Sequence, residues 1–322
     1  MANQLAAKLH RGMIEYANST NVDKPGVTNW PSSLSVRTPD GILGACARKV
    51  WYSRKGYPSS REVNPNYLFS AMMGDYIESL VVDLFQRTSA WTRLFPIAVQ
   101  TPFYLEDMNL SGKIDIILEN IDSGSLAGVD VKSVSAFKTS LCLPRPDISN
   151  ALQCFAYLHY FSEKNIFGGH LDRWYILYVS RSETWELKSK KNTSPLMQIW
   201  DFCIEKKDDH MVISTPSGVL EYPEVSVSAL HERQAEIDKA CQADDPPPRE
   251  YKLKYSEEEI LGKYKQDKLR FKKDKTAVEK WLKAGAKEGE LDLELGDFEC
   301  MVCPYKDLCW NEVRLERSGT LF

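Results

Sequence analysis

The sequence predicts a mixed α/β protein in which helices flank a β-sheet. Apolar residues recur with a helical period over residues 67–87 and again over residues 148–161. Between these helices, residues 97–106, 110–119 and 126–134 form three short alternating or apolar runs that are typical of β-strands. Because turn-forming residues separate the three runs, we expect adjacent antiparallel strands. The predicted order of the core is therefore helix, three strands, helix, and then further strands.

Periodicity also predicts the details of the individual elements. The apolar face of the first helix is predicted to comprise Leu68, Met72, Ile77, Leu80, Val81, Leu84 and Phe85. After the second helix, residues 172–180 and 184–187 have strand patterns joined by a short polar turn, which predicts a hairpin. The chain beyond it is predicted to be mainly helical, except at residues 245–248, where three consecutive prolines favour an extended connection.

These elements are expected to form one integrated structural unit with three segments. Residues 1–60 mix helix with Pro- and Ser-rich loop, residues 61–195 form the α/β core, and residues 196–322 form a helical C-terminal segment. The chain has 322 residues, of which 43% are hydrophobic and 27% charged, so it can bury a large core. This composition excludes a disordered or fibrous protein.

The N-terminal pattern and the absence of two nucleotide-binding motifs indicate where the protein acts and which enzyme classes are excluded. The first twenty residues have an amphipathic helical pattern without the apolar core of a signal peptide, and no apolar stretch reaches the ~18 residues that span a bilayer. We therefore expect a cytoplasmic protein without a membrane segment. The net charge of -4 does not by itself indicate a nucleic-acid binder. The sequence contains neither a phosphate-binding GxxxxGK loop nor a GxGxxG fingerprint, which excludes a motor or dinucleotide site.

Two aspartates lie on adjoining predicted strands, Asp115 at the end of the run GKID and Asp130 at the start of the run DVK. Because side chains alternate along a strand, Asp130 and Lys132 share one face. Carboxylates from two strands can hold Mg²⁺ or Mn²⁺, and a neighbouring lysine can position a water molecule and stabilise charge on a phosphate. Taken alone, the D-x-K pattern also fits a surface ion pair.

The residues around these aspartates make the pattern more specific. Glu78 follows Gly74 by four residues in the first helix, and Gln153 and Tyr157 lie four residues apart on one face of the second helix. The motifs G-x-x-x-E, G-x-x-D, D-x-K and Q-x-x-x-Y thus occur in one order. In this order the chain resembles the RecB-like exonuclease branch of the PD-(D/E)XK superfamily, which includes the RecB and AddB nuclease domains and the CRISPR-associated RecB-like exonucleases. The resemblance extends from residue 46 to residue 309.

The resemblance implies a fold of restriction-endonuclease type and a role for each of these residues. Asp115, Asp130 and the Val131 carbonyl would bind Mg²⁺ or Mn²⁺, and Lys132 would be the catalytic lysine. Gln153 and Tyr157 would form a supporting pair near the substrate strand, although a helix face of this kind can also serve packing alone. Many relatives carry histidine in place of Glu78, so its glutamate leaves open direct binding of the metal, binding through water, or neither.

Cysteines near the C-terminus have the spacing of a metal site. Cys300, Cys303 and Cys309 form a C-x2-C-x5-C pattern. The resemblance implies Cys46 as the fourth ligand, because relatives with this triad take their fourth thiolate from just before the nuclease core. The resemblance implies a 4Fe-4S cluster that closes the fold by joining its N- and C-terminal segments, while the same four thiolates could also hold zinc. Cysteines without paired spacing are expected to be incidental thiols, namely Cys142, Cys154, Cys203 and Cys241.

The resemblance further implies single-stranded DNA as the substrate and exonucleolytic cleavage. Arg48 and Lys49 could bind phosphates while Trp51 and Tyr52 stack bases, or the aromatic side chains could simply pack around the cluster. We expect such an exonuclease to act in DNA repair, recombination, phage DNA metabolism or CRISPR adaptation. A helicase or recombination protein is the expected partner.

Two other functions are weighed against this one. The first alternative is a non-catalytic DNA-binding or scaffolding subunit of a helicase-nuclease or integrase complex, against which the full set of D and D-x-K motifs argues. The second is a zinc enzyme of another class, against which the lack of paired spacing among the five histidines argues. The sequence does not predict an oligomeric state.

Overall fold

The computed structural model describes residues 28–59, 65–181, 199–269, 272–283 and 293–310 of the chain. The strands are β1 (Ser35–Thr38), β2 (Gly41–Gly44), β3 (Leu94–Leu105), β4 (Leu110–Asn120), β5 (Leu126–Val134), β6 (Leu171–Ser180), β7 (Ile199–Lys207), β8 (His210–Thr215) and β9 (Gly218–Ser226). The helices are α1 (Ala47–Arg54), α2 (Pro65–Thr92), α3 (Ala136–Cys142), α4 (Ile148–Lys164), α5 (Val227–Gln242), α6 (Glu257–Lys265), α7 (Lys272–Lys283), α8 (Phe298–Met301) and α9 (Lys306–Trp310). Two short 3₁₀ turns lie at Pro31–Ser33 and Glu106–Met108.

Strands β3 to β9 form one mixed sheet in sequential order, and only β5 and β6 are parallel. The three antiparallel strands predicted between the first two helices are confirmed as β3, β4 and β5. Strand β3 turns into β4 through a 3₁₀ turn and Asn109, whose φ of 45° is left-handed. Asparagine tolerates this conformation better than most residues, which explains the tight return.

Helices cover both faces of this sheet. On one face, Ile77 and Val81 of α2 pack against Ile116 and Val129 of the sheet. On the other face, α4 contributes Phe155 and its apolar neighbours to the main core. The parallel pair β5 and β6 needs a crossover connection, and α3 and α4 lie in that connection. This arrangement confirms the predicted mixed α/β class with a sheet flanked by helices.

The prediction that the chain becomes mainly helical after the core is wrong for residues 199–226. These residues form β7, β8 and β9, which extend the sheet across the boundary predicted at residue 195. In β7, Phe202 and Ile204 are buried on one face, so the segment follows the period of a half-buried strand. Helices predominate only from Val227 onward. The short strand predicted at residues 184–187 lies outside the described residues.

Helix α2 confirms the first predicted helix and extends it at both ends. The apolar face assigned to it is only partly correct, because Met72 and Leu84 are 55% and 40% exposed, whereas Ile77 and Val81 are buried. The side chain of Leu68 lies outside the described residues. None of the helices in the described ranges combines the length and the apolar composition that a membrane span requires.

The N- and C-terminal parts of the described chain meet beside the sheet. Helix α1 packs on α5 through Val50 and Ile237, and β1 and β2 form a small hairpin next to them. Tyr305 stacks on Tyr52 with ring centroids 5.5 Å apart. Residues 46 and 300–309, which are far apart in sequence, are thereby brought to the same side of the molecule.

Candidate active site

The candidate site lies where β4 and β5 stop pairing. Their ladder runs from Glu119 opposite Leu126 to Ile116 opposite Val129, and the next residues on the two strands are Asp115 and Asp130. Beyond the ladder, the backbone N–H of Val131 donates a hydrogen bond to Asp115 Oδ2 at 2.7 Å. Because this carboxylate takes the place of a backbone partner, the two aspartates are held close together.

Asp130 is bound to the lysine two residues later on the same strand face. Lys132 Nζ lies 2.8 Å from Asp130 Oδ2 and donates a hydrogen bond to Oδ1 at 3.0 Å. Asp130 is 1% exposed and the Lys132 side chain is 27% exposed, so this contact is a partly buried ion pair and not the surface pair that the sequence alone allowed. Burial lowers the pKa of Lys132, but the charges of Asp130 and Asp115 outweigh it and raise that pKa overall. The lysine therefore stays protonated.

Helix α4 supports Asp130 from the core. Gln153 Nε2 lies 3.1 Å from Asp130 Oδ1 and 2.9 Å from the Tyr157 hydroxyl, and it donates to both. Tyr157 is 1% exposed and packs edge-on against Phe103. Tyr157 is thus placed to orient Gln153, and its burial favours a supporting role over direct contact with a substrate.

Glu78 on α2 faces the same site. Its Oε1 atom is buried and accepts no hydrogen bond from the described residues. Burial raises the pKa of Glu78, Lys113 opposes this effect, and the charges of Asp75 and Asp130 add to it. The structure also reveals Lys113 as a cation near this glutamate, which the sequence analysis did not identify. The signal for it was its position two residues before Asp115 on β4.

The carboxylates of Asp115, Asp130 and Glu78 carry more negative charge than the neighbouring cations balance. Burial raises the pKa of Asp115, and the charge of Asp130 raises it further. Burial also raises the pKa of Asp130, although Lys132 opposes this. Lys132 and Lys113 do not offset the desolvation and mutual repulsion of these carboxylates, so the site favours a proton or a bound cation.

The donor set fits a hard divalent cation. Asp115, Asp130, Glu78 and the Val131 carbonyl offer the oxygen ligands that Mg²⁺ and Mn²⁺ prefer, and the unpartnered Glu78 Oε1 is one such donor. Among the described residues, no three His, Cys, Asp or Glu side chains are already grouped as a metal-binding set.

The four predicted cysteine ligands line one cavity of about 1010 Å³. Cys46 is the N-cap residue of α1. Burial raises the pKa of Cys46, whereas backbone N–H groups, including those of Lys49 and Arg48, lower it by favouring the thiolate. Burial raises the pKa of Cys300 to about 12, and the charges of the other three cysteines add to this rise. Four neighbouring sulfur donors fit either iron or zinc.

The four cysteines without paired spacing differ in burial and in position. Cys142 and Cys154 are buried, and Cys203 and Cys241 are half-buried. Cys142 also lines the cavity, while Cys154 lies on α4 next to Gln153. No described contact assigns any of the four a ligand role.

Basic residues surround the same cavity. Arg48 and Lys49 line it as part of α1. Cations that the sequence analysis did not single out also line it, namely Lys138, Arg145, Lys268, Lys275 and Lys306. The carboxylates that line it are fewer, namely Asp147, Asp267 and Glu299. The cavity is therefore positively charged.

The aromatic residues beside Cys46 pack within the protein. Trp51 and Tyr52 are 1% and 6% exposed, and both contact Tyr57 ring to ring. Of the two roles considered for them, these contacts favour packing around the cysteines.

Arg233 and Glu250 form a buried ion pair of 2.7 Å that the sequence analysis missed. Arg233 lies on α5 between Leu230 and Ile237, so a charged residue on an otherwise apolar helix face was the available signal. Glu250 follows the three prolines and belongs to no recognisable motif.

Comparison with known proteins identifies a family that the chain matches. A family model described as the PD-(D/E)XK nuclease superfamily matches residues 26–310, a range that includes the carboxylate site and the four cysteines. No curated protein matches the chain.

Proposed function

This chain belongs to the PD-(D/E)XK nuclease superfamily, and from that premise we propose that it hydrolyses phosphodiester bonds of DNA with the help of Mg²⁺ or Mn²⁺. The observation that carries the proposal is the meeting of Asp115, Asp130 and Lys132 where β4 and β5 separate. Asp115, Asp130 and Glu78, whose pKa values are raised, lie near the partly buried Lys132 and form a site that gains stability when a cation binds.

The residues that would hold the cation are Asp115, Asp130, Glu78 and the Val131 carbonyl. A divalent cation at such a site lowers the pKa of a bound water molecule and polarises a phosphate. The ammonium of Lys132, held by Asp130, is placed to orient the attacking water and to offset charge that develops on the phosphate. Gln153 fixes the orientation of Asp130.

The substrate we propose is single-stranded DNA, cleaved from an end, as in the RecB-like exonuclease branch that the motif order resembles. The cavity beside α1 supports this, because Arg48, Lys49 and the other lining cations suit a phosphate backbone. We place the activity in DNA repair, recombination, phage DNA metabolism or CRISPR adaptation, together with a helicase or recombination partner.

We also propose that Cys46, Cys300, Cys303 and Cys309 hold a 4Fe-4S cluster whose role is structural closure. Their common cavity and the backbone N–H groups near the Cys46 sulfur support a set of thiolate ligands. Iron and acid-labile sulfide in anaerobically purified protein would support the cluster. Zinc without sulfide would show that the four thiolates form a zinc site instead.

The test of the nuclease is degradation of end-labelled DNA, linear and circular, single- and double-stranded, with Mg²⁺, Mn²⁺ or EDTA. Asp130→Asn removes the charge of the buried site aspartate, and Asp122→Asn is the matched control because Asp122 is exposed and pairs with Arg93. We expect metal-dependent loss of linear single strands by the wild-type and control proteins only.

Two other results of this assay would change the proposed activity. Cleavage of circular DNA would replace the exonuclease by an endonuclease. Folded, metal-loaded protein that binds DNA without cutting it would favour the non-catalytic DNA-binding subunit.

A further inference from the structure

Four consecutive residues connect the two cysteine-bearing parts of the chain. Residues 249–252, here named the bridging segment, follow the three prolines and have neither helical nor strand structure. Their contacts extend both to the surroundings of Cys46 and to the surroundings of the C-terminal cysteines. The segment contains no cysteine and belongs to none of the motifs found in the sequence.

Two residues of the bridging segment hold the backbone on either side of Cys46. Glu250 Oε2 accepts a hydrogen bond from the Ala47 N–H at 2.8 Å, and Ala47 is the first residue of α1. The Tyr251 hydroxyl lies 2.7 Å from the Gly44 carbonyl and 3.0 Å from the Ile42 carbonyl, and these two acceptors share its one hydrogen. Cys46 is therefore flanked by two anchored backbone positions.

The other two residues hold the C-terminal cysteines. Arg249 Nε donates to the Cys309 carbonyl at 3.1 Å, and its guanidinium lies 4.4 Å from the centre of the Trp310 ring. The Lys252 N–H donates to Asp297 Oδ2 at 2.6 Å, and the Asp297 N–H donates to the Lys252 carbonyl at 2.8 Å. Asp297 is the N-cap residue of α8, which carries Cys300.

Arg233 holds the side chain of Glu250 through an ion pair. Arg233 is 2% exposed, lies 2.7 Å from Glu250 Oε2, and donates through Nε to Ser35 Oγ at 3.1 Å. Arg233 also pairs with Glu236 at 2.9 Å, so it joins Glu250 to a network of charged side chains on α5. Glu250 is thus tied to the body of the protein as well as to α1.

We propose that the bridging segment positions Cys46 against Cys300, Cys303 and Cys309 before a metal binds, with Glu250 and Tyr251 as positioning residues. Helices α8 and α9 are short and contain no buried residue of their own, so contacts from other segments must place them. Holding the ligands near each other in advance reduces the entropy lost when the metal closes the site. This inference rests on the proposed thiolate metal site.

The test compares Glu250→Gln and Tyr251→Phe with Glu236→Gln. Glu236 also pairs with Arg233, at 2.9 Å, and with Arg37. No described hydrogen bond or ion pair joins it to a cysteine-bearing segment, so its variant controls for a weakened ion-pair network. The readouts are iron, sulfide and zinc per chain after purification, and the alkylation rate of Cys46 in metal-free protein, followed by mass spectrometry.

We expect metal retention to fall on the order of tenfold in the Glu250 and Tyr251 variants, as for loss of outer-shell support, with faster alkylation of Cys46. Glu236→Gln should match the wild type in both respects. If Glu250→Gln fails to fold, Tyr251→Phe decides, because it removes only one hydroxyl group. Full metal content and unchanged alkylation in folded Tyr251→Phe would overturn the inference. A wild-type protein without metal would overturn the proposed cluster instead, and the alkylation rates would still decide the role of the bridging segment.

Discussion

Asp115 accepts a hydrogen bond from the backbone N–H of Val131 at 2.7 Å, a contact that replaces a strand partner beyond the end of the β4–β5 ladder. Asp115 thus has a structural role in addition to its proposed role as a metal ligand. The two roles depend on different properties of the side chain, because the hydrogen bond needs an oxygen acceptor and the metal site needs a negative charge.

The variants Asp115→Asn and Asp115→Ala should separate these roles. We expect both to lose DNA cleavage. Only Asp115→Ala should lower the free energy of unfolding, by about 1–3 kcal/mol, because it leaves the Val131 N–H unsatisfied. Thermal denaturation of the metal-free proteins measures the difference. Cleavage activity in Asp115→Asn would show that the charge of this residue is not needed.

Replacement of Lys132 should affect activity and stability by different routes. Lys132→Met removes the only described ion-pair partner of the buried Asp130. We expect cleavage to fall about 100-fold or more, since a positioned charge beside the reacting phosphate is lost. The unfolding free energy should also fall, because Asp130 is left as an uncompensated buried charge.

A second substitution identifies the cause of the stability loss. Lys132→Met combined with Asp130→Asn should regain stability without regaining activity. Equal stability of the single and double variants would contradict the assignment of Asp130 as the buried charge responsible.

Sequence periodicity predicted β3, β4, β5, α2 and α4 because each buries a regular face against the core. The same reasoning missed β7 to β9, although the alternation of buried Phe202 and Ile204 with less buried neighbours in β7 is a strand pattern. It also placed Met72 and Leu84 on the buried face of α2, although both are exposed. Apolar residues on two sides of a helix do not reveal which side meets the sheet.

The part of the candidate site that depends on spacing within single strands and helices could be predicted from the sequence. Asp115, Asp130, Lys132 and Gln153 come together because strand and helix periods place them on fixed faces. Arg233 and Glu250 were missed because their pairing depends on the path of the chain between α5 and α6, which no local period encodes. Whether Tyr157 meets substrate or core was equally a matter of tertiary packing.

Addition of Mg²⁺ or Mn²⁺ should raise the melting temperature of the protein. The carboxylates of Asp115, Asp130 and Glu78 are destabilised by burial and by mutual repulsion, and a bound cation relieves both effects. Titration of metal-free protein followed by differential scanning fluorimetry measures the shift, which should saturate as expected for a single class of site. The shift should persist in Asp122→Asn and disappear in Asp130→Asn, and an equal shift in both variants would place the cation elsewhere.

Glu236 should make a small contribution to stability that depends on pH. Its hydrogen bond with Arg37 and, against the effect of burial, its contact with Arg233 lower the pKa of Glu236 to about 2. A lowered carboxylate pKa stabilises the folded state above the unfolded value near 4.5, and this contribution is lost as the pH falls toward 2. Because the Glu236 side chain is 44% exposed, screening by solvent limits the effect to about 1 kcal/mol or less.

Melting curves of the wild type and Glu236→Gln at several pH values test this. The difference between the two proteins should be largest at neutral pH and should shrink as the pH is lowered below about 4.5. A difference that stays constant from pH 7 to acid would show that the effect of the substitution does not come from the charge of Glu236.

Gln153 and Tyr157 should affect turnover more than substrate binding. Gln153 donates to both Asp130 and the Tyr157 hydroxyl, while the burial of Tyr157 keeps it from contact with DNA. Gln153→Ala should therefore lower kcat by about tenfold or more with little change in KM, because an outer-shell partner of a ligand is lost. Tyr157→Phe should have a smaller effect of the same kind, since it removes only the acceptor that orients Gln153. Steady-state kinetics on short linear single strands would measure both constants, and a rise in KM at constant kcat would assign Gln153 to the binding of DNA instead.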